Sequence, residues 1–405
     1  LLPPSSESSL TSLYNSSFAT DAQGSTSQSP EWQQTYQHMG RRWKNQWLYN
    51  WWLLAYCIIT IVLFLFPVIS TLINEAAVDV FGICLAHARG CALLMNANAA
   101  AVLTPVSRRL HTWLQSRRRL RTILAFDASI DAHMLFGGAF LIAAVAHSLL
   151  HISTYRHFVW ATDQALSNFF GPEAAETIPT SRIGRLEFLM RHRASLTGFG
   201  MLACMIAATV VLTCRRSHFN RFWYLHHLFV VILILMCFHG SGNMIAPSQT
   251  PYWLTMPLAF YLLPRLSREF CSKSSPAQTI LTRGNVLAIT MDKPAGWDRI
   301  QKAGMYAMLN LPPISRFEWH PFTISSAPHE DYIKFHISCN GDWTRHAKTV
   351  LTENPKTPLR MEGPFGAPSQ GTRDFEVVVL IGAGIGVTVS SSQPSLFMMS
   401  SPTDA

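Results

Sequence analysis

From Asn45 to Asn74 the chain carries no charged side chain. Crossing the hydrocarbon core of a bilayer takes roughly 20 mostly apolar residues, so this run is long enough to span. Val80–Val106 is a second such segment, broken only by His87 and Arg89. Ile130–Ile152 is a third and carries His133, His147 and His151. Ser195–Thr213 is a fourth, and Phe222–Gly240, with His226, His227 and His239, is a fifth. Ala246–Pro264, interrupted by prolines, is a weaker sixth. A single such segment reads equally well as a buried core helix; six in succession do not. Composition agrees: 49% of residues are hydrophobic and only 14% charged, against about 25% charged in ordinary soluble domains. A wholly soluble or wholly disordered chain is excluded, and residues 46–264 are expected to form a six-helix transmembrane bundle.

The net charge of +9 is compatible with nucleic acid, an acidic partner or a membrane protein with a basic inner face. The loops decide. Arg108, Arg109, Arg117, Arg118, Arg119 and Arg121 follow the second segment, opposed only by Asp127, and Arg215, Arg216 and Arg221 follow the fourth. The longer stretch after the third segment is nearly balanced. The positive-inside rule then puts both arginine-rich loops, the N-terminus and everything after the sixth segment in the cytoplasm. No nucleic-acid partner is needed; lipid is the expected one. Residues 1–45, rich in Ser, Thr, Gln and Asn, are expected to form a disordered cytoplasmic tail. The eight cysteines contain no C-x-x-C pair and suggest no disulfide framework.

An ionisable residue inside a span is a functional candidate, because burying it without a partner is costly. Imidazole is also the common axial ligand of haem iron. His133 and His147 stand fourteen residues apart, about 21 Å along a helix and within about 40° of one face. His226 and His239 stand thirteen apart, about 20 Å. Spans three and five run in the same direction, so His133 is expected opposite His226 near the cytoplasm and His147 opposite His239 near the exterior. Two stacked bis-histidine haems follow, one per leaflet; the alternative is four separate polar residues lining a bundle. Thirteen residues rotate an ideal helix by about 220°, so span five must bend or overwind. Spacing alone does not decide between His226 and His227.

From about residue 272 the texture changes to short β-type runs (Gln278–Thr282, Val286–Met291, Tyr332–Ile337 and Val377–Ile381) separated by turn residues. His320-Pro321-Phe322-Thr323-Ile324-Ser325-Ser326 reads as a strand edge dense in hydroxyls. The last β-type run enters Gly382-Ala383-Gly384-Ile385-Gly386, a glycine turn of the kind that lets backbone approach a phosphate.

Phe222-Trp223-Tyr224-Leu225-His226-His227, with Phe238-His239-Gly240, resembles the fifth span of the NADPH oxidase catalytic subunits, within the ferric reductase superfamily. Ala132-His133 with Ala146-His147-Ser148-Leu149-Leu150-His151 resembles their third, and Leu85-Ala86-His87-Ala88-Arg89-Gly90 with Asn96 and Asn98 their second. The resemblance covers about residues 40–388 and leans towards the plant-type, calcium-regulated members. It implies His226 as the haem ligand rather than His227. It implies that Arg89 and His151 line an oxygen site; a haem propionate is the other partner for Arg89. It implies an FAD-binding β-barrel of ferredoxin-reductase type over 272–372, with His320, Pro321, Phe322 and Thr323 against the isoalloxazine. Gly382, Gly384, Gly386 and Thr388 would open an α/β NADPH-binding lobe at 375–405.

Two departures stand out. Ser338 occupies the place of an arginine that pairs with the FAD pyrophosphate in the family. Val389 stands where the family has proline, and the rest of the NADPH lobe is not in this sequence. The reading is therefore a C-terminally truncated oxidase, in which electrons pass from NADPH through FAD and two haems to molecular oxygen, giving superoxide on the far side. As given, the chain is expected to lack an adenosine and ribose pocket and not to oxidise NADPH by itself. The alternatives are a ferric-chelate reductase of the same superfamily and an inactive haem and flavin membrane protein. Regulatory subunits or a calcium-binding module are further partners that the resemblance implies.

Overall fold

The computed structural model describes residues 31–117, 119–120, 128–212, 219–242, 245, 247–272, 274–367, 369–370 and 382–392. The β-type run at 377–381, the Phe126-Asp127 pair, Arg118, Arg121, Arg215 and Arg216 lie outside the described residues. The chain divides into two compact units, Leu1–Cys57 and Ile58–Ala405.

The described part of the first unit is helical. Helix α1, Glu31–Leu72, begins inside the segment read from composition as a disordered tail, and that reading is corrected for residues 31–45. Polar composition concealed a helical spacing: Trp32, Tyr36, Met39 and Trp43 recur at steps of four, three and four. Glu31 at the N-terminus also suits the helix dipole.

In the second unit the second segment, read over Val80–Val106, begins in the last residues of one helix, α2 (Glu75–Phe81), and continues as another, α3 (Cys84–Leu103), the two bent by 100° at their junction. Gly82 makes the bend at φ 73°, where a side chain is strained. Helices α4 (Arg108–Ser116), α5 (Ser129–Trp160), α6 (Arg182–Arg191) and α7 (Arg193–Leu212) follow. The fifth segment is α8 (Phe219–His226) and α9 (Leu228–His239). The sixth is α10 (Thr250–Cys271), with Pro257 and Pro264 inside it. Among the described residues four helices are long and apolar enough to cross a membrane, or five if the bent pair counts as one; α10 is not one of them.

Helices α3, α5, α7, α9 and α10 share one core, built from Ala99, Leu103, Phe140, Ala144, Met205, Ile232, Leu233, Met236 and Leu254. Alanines at the α3–α5 seam allow close approach, the device helices use where lipid gives no hydrophobic drive. A second cluster (Val80, Phe81, Leu85, Phe158, Leu166, Ile178 and Leu189) gathers α2 and the residue 161–192 connection over the C-terminal end of α5.

Beyond α10 the chain forms two antiparallel sheets. Strands are β1 (Ser274–Pro276), β2 (Thr279–Arg283), β3 (Val286–Asp292), β4 (Tyr306–Asn310), β5 (His320–Thr323), β6 (Tyr332–Ser338) and β7 (Pro358–Phe365). One sheet has the order β1-β7-β4-β5 and the other β2-β3-β6. β3 and β6 alternate half-buried and buried residues, the period of a sheet with one face on a core. Leu287, Ile289, Ile333, Phe335 and Ile337 point inward to meet Leu309, Ile324, Trp343 and Leu351. Trp343 and Leu351 belong to helix α11, Asp342–Glu353.

A Cβ at residue 82 would lie 2.6 Å from the His157 ring. Gly82→Ala is expected to destabilise the protein by about 1–2 kcal/mol from the left-handed backbone, with the His157 clash in addition. Thermal unfolding of the purified variant measures it; an unchanged midpoint would mean that the bend is not locked.

Candidate functional site

Helix α5 carries His133 and His147, and α3 runs antiparallel against it. His133 Nδ1 meets the carbonyl of Val102 at 2.9 Å, and His147 Nδ1 meets that of Ala88 at 2.9 Å. A carbonyl only accepts, so Nδ1–H donates in both rings and each Nε2 keeps a free lone pair. Residues 88 and 102 are fourteen apart, as are 133 and 147. On the other side His239 Nδ1 lies 3.1 Å from Thr197 Oγ1, and Gly198 lets that ring sit close, since a Cβ there would be 3.3 Å from His239 Cε1. His226 Nδ1 is buried with no hydrogen-bond partner among the described residues.

The rings stand in two pairs. His133 and His226 have centroids 6.1 Å apart, and His147 and His239 have centroids 6.1 Å apart. Two imidazoles on opposite sides of one metal, each with a metal–nitrogen bond of about 2.0–2.1 Å, need about this separation once the ring radii are added. Among the described residues no three His, Cys, Asp or Glu side chains gather as a metal site. Paired imidazoles with no further protein ligand among the described residues would suit a haem iron, so the residues fit that group.

The rotation problem in span five is met in part locally. The helix is interrupted at His227, where His227 N–H donates to Tyr224 O and Val230 N–H to His227 O. These i to i−3 bonds overwind the chain, as in a 3₁₀ turn, in the direction that brings the ring at 226 towards that at 239. His227 instead bonds the Trp223 carbonyl through Nδ1 at 2.7 Å.

A cavity of about 940 Å³ adjoins the His147–His239 pair and is lined by Arg89, Asn96, His147, His151, Tyr155 and His239, among others. His151 sits with its ring 4.5 Å from that of His147, and its Nδ1 is buried and unpartnered among the described residues. Arg89 Nη1 donates to Thr71 Oγ1 at 3.0 Å, a neutral acceptor, and among the described residues no ion pair offsets the guanidinium charge. Tyr155 OH and Ser195 Oγ share a hydrogen bond at 2.5 Å.

In the sheet domain His320, Pro321, Phe322 and Thr323 form β5 and pair with β4, Leu309 opposite His320 and Tyr306 opposite Thr323. The Trp343 ring packs against His320 at 4.3 Å and Phe322 at 5.8 Å, giving β5 an aromatic wall. His320 Nε2 lies 3.7 Å from Glu318 Oε1, beyond hydrogen-bond range. Burial pushes the His320 imidazole down, partly offset by Glu318. His336 is also pushed down, by burial and then by Lys334, while its Nδ1 meets Ser325 Oγ at 2.9 Å. Ser338 is the last residue of β6, opposite Val286. Gly382, Gly384 and Gly386 are exposed, and Thr388 is buried behind them. This turn docks on the sheet domain, where Gly304 N–H donates to Ser392 Oγ at 2.9 Å.

Sequence reading missed the carbonyls of Ala88 and Val102, Thr197 and the Trp343 wall. The first three groups belong to neighbouring helices, and no motif marks a backbone acceptor. Trp343 follows β6 closely in sequence, but its contact with β5 depends on how the chain crosses from β6 into α11.

Residues 272–369 match the family model described as an FAD-binding domain. Over 339 residues the chain is 33% identical to a superoxide-generating NADPH oxidase heavy chain of Dictyostelium discoideum, covering 79% of this chain and 63% of that protein. The chain is a homologue of the NADPH oxidase heavy chains. It is also 33% identical over 392 residues to respiratory burst oxidase homolog protein C of Solanum tuberosum (85% of this chain, 40% of the relative). With respiratory burst oxidase homolog protein D of Arabidopsis thaliana it shares 32% over 361 residues (78% and 38%). The chain thus spans between about two fifths and two thirds of the length of these relatives.

The depressed imidazoles give a pH prediction. For His320 and His336 the folded value lies below the unfolded one of about 6.5, so the unfolded chain takes up protons first as pH falls. Stability of the sheet domain should be full above about pH 6.5 and decline as pH drops below it, and His320→Gln should flatten that slope. Denaturant midpoints across the range check this; a slope unchanged by the substitution would acquit His320.

Proposed function

We propose that this chain carries the flavin-to-oxygen part of an NADPH oxidase: electrons that NADPH gives to FAD pass through two b-type haems to molecular oxygen, releasing superoxide on the far side of a membrane. The observation that carries the reading is the two pairs of facing imidazoles that α5 takes part in, near its N-terminus and near its middle, with centroids 6.1 Å apart in each pair, joined to a domain that matches an FAD-binding family. When bound, the haems and flavin supply the electron chemistry; the protein holds, orients and encloses them.

His133 and His226 would hold the inner haem, and His147 and His239 the outer. The α3 carbonyls fix the tautomer and aim of the α5 imidazoles, a second layer that also strengthens them as ligands. Arg89 supplies a charge that cannot be neutralised in the outer cavity, where it suits a propionate or an oxygen anion beside His151. β5 and Trp343 would flank the isoalloxazine. Gly382, Gly384, Gly386 and Thr388 would open the NADPH lobe.

In this reading α3, α5, α7, α9 and α10, with the 58–72 part of α1, form the six-helix bundle, and the two sheets form the flavin barrel. The arginine-rich loop and the flavin domain share one side, the cytoplasm. That placement is supported by Arg109 on α4, which pairs with Glu362 of β7 at 3.0 Å, and by Gly366 N–H, which donates to Thr112 Oγ1 at 3.0 Å. The ferric-chelate alternative is not favoured, because the named homologues are oxidases and one is called superoxide-generating.

Pyridine haemochrome analysis of the purified protein should give two haems per chain. His147→Leu should leave one, with the inner haem spectrum kept and acceptor reduction sharply reduced; one haem or none in the parent protein would reject the four-ligand assignment. Ser338→Arg should tighten FAD by roughly 1.5–3 kcal/mol if a charge-assisted hydrogen bond to the pyrophosphate forms. Unchanged affinity in a flavin titration would mean that the pyrophosphate is held elsewhere.

A further inference from the structure

The last turn of α10 ends beside the flavin sheet, and the last carbonyls of a helix have no partner within it. Arg360 of β7 binds at that end, supplementing the Ser272 N–H that already donates to the Arg268 carbonyl at 3.1 Å. Its Nη2 donates to Arg268 O at 3.2 Å and Glu269 O at 3.1 Å, and its Nε to Ser272 Oγ at 2.8 Å. Nη1 pairs with the Glu269 carboxylate at 3.4 Å and donates to Arg316 O at 3.3 Å. The guanidinium is buried. A cation at a helix C-terminus is favoured by the dipole as well as by these bonds.

The same cluster reaches the residue before β5. Trp319 Nε1–H donates to Glu269 Oε1 at 2.9 Å. Two guanidiniums lie over its ring, Arg268 at 4.6 Å and Arg360 at 5.0 Å. The chain then continues directly into His320. A second connection runs through β4, where Asn310 is opposite Arg360 and Leu309 opposite His320. Asn310 is itself buried, and its Nδ2 donates to Ser315 O and Glu318 O, fixing the loop that leads to Trp319. A membrane-side helix end and the strand that would face the flavin are thus tied through one carboxylate, one guanidinium and one indole.

We propose that Glu269, Arg360 and Trp319 form a joint that positions β5 against α10, so that electron transfer out of the flavin depends on its integrity. This rests on the electron-transfer reading above. The cluster supplies neither electron nor proton to the one-electron step from reduced flavin to ferric haem. It acts by holding donor and acceptor in place, because the rate of a one-electron step falls steeply as their separation grows.

The test uses the full chain and three variants: Glu269→Gln, Arg360→Lys and Trp319→Phe, the last keeping an aromatic ring but losing the donor. In protein without cofactors, amide exchange at 319–323 and 268–272 should quicken by roughly tenfold, the effect of one lost charged hydrogen bond, while exchange in β3 and β6 stays constant. In protein loaded with FAD and haem, photoreduced flavin should pass electrons to haem roughly tenfold more slowly, with FAD affinity and haem content unchanged. Parental exchange or a parental transfer rate in the variants would overturn the proposal. So would loss of FAD binding in step with the rate, which marks a purely structural role. If one variant does not fold, the remaining two decide. Failure of the parent protein to pass any electron from flavin to haem would instead sink the electron-transfer reading, with the exchange measurement still deciding whether the joint exists.

Discussion

An imidazole inside an apolar bundle is costly unless its nitrogens have partners. That constraint organises the helical part of this protein. α3 supplies backbone carbonyls to both α5 histidines. A helical carbonyl has a second lone pair beyond its intrahelical bond, so α3 can make these contacts without unwinding. Once the rings are anchored from α3, their remaining nitrogens are aimed at α8 and α9. The bend at Gly82 and the overwound turn at His227 serve that same arrangement, one by redirecting the chain before α3, the other by rotating a facing ring.

Much of this is legible in the residues. Charge-free runs mark the apolar helices, and the spacings 133 to 147 and 226 to 239 pair the histidines by depth. The need for span five to overwind is also visible, because thirteen residues do not return an ideal helix to the same face. Three features are not legible. The helical start at Glu31 is hidden by polar composition. The bend between α2 and α3 rests on one glycine backbone angle, and hydropathy does not see angles. The 22-residue α10 is less apolar than the other long helices, and its placement comes from packing Leu254 into the shared core rather than from its own composition.

The sheet domain shows the converse. Alternation along β3 and β6 predicts strands closely, and His320-Pro321-Phe322-Thr323 stands out as a motif. What surrounds the motif is long-range: Trp343 reaches it from α11, and Glu269 reaches its neighbour Trp319 from the end of α10. Ser338 illustrates the limit of motif reading. Its departure from the family pattern is plain in the sequence, yet its position at the end of β6, opposite Val286, does not point to a residue that would take over the missing charge.

The matched fourteen-residue intervals on α3 and α5 have a consequence for how such a protein can change. Because the two helices run antiparallel, residues 88 with 147 and 102 with 133 form the two rungs of one ladder. Removing a single residue from either helix between the rungs would rotate one rung by about 100° and shift it by about 1.5 Å relative to the other. No side-chain replacement repairs that mismatch. The interval is therefore inherited as a unit of length: substitutions can accumulate along both helices, but insertions and deletions between the rungs are tolerable only when both helices change together.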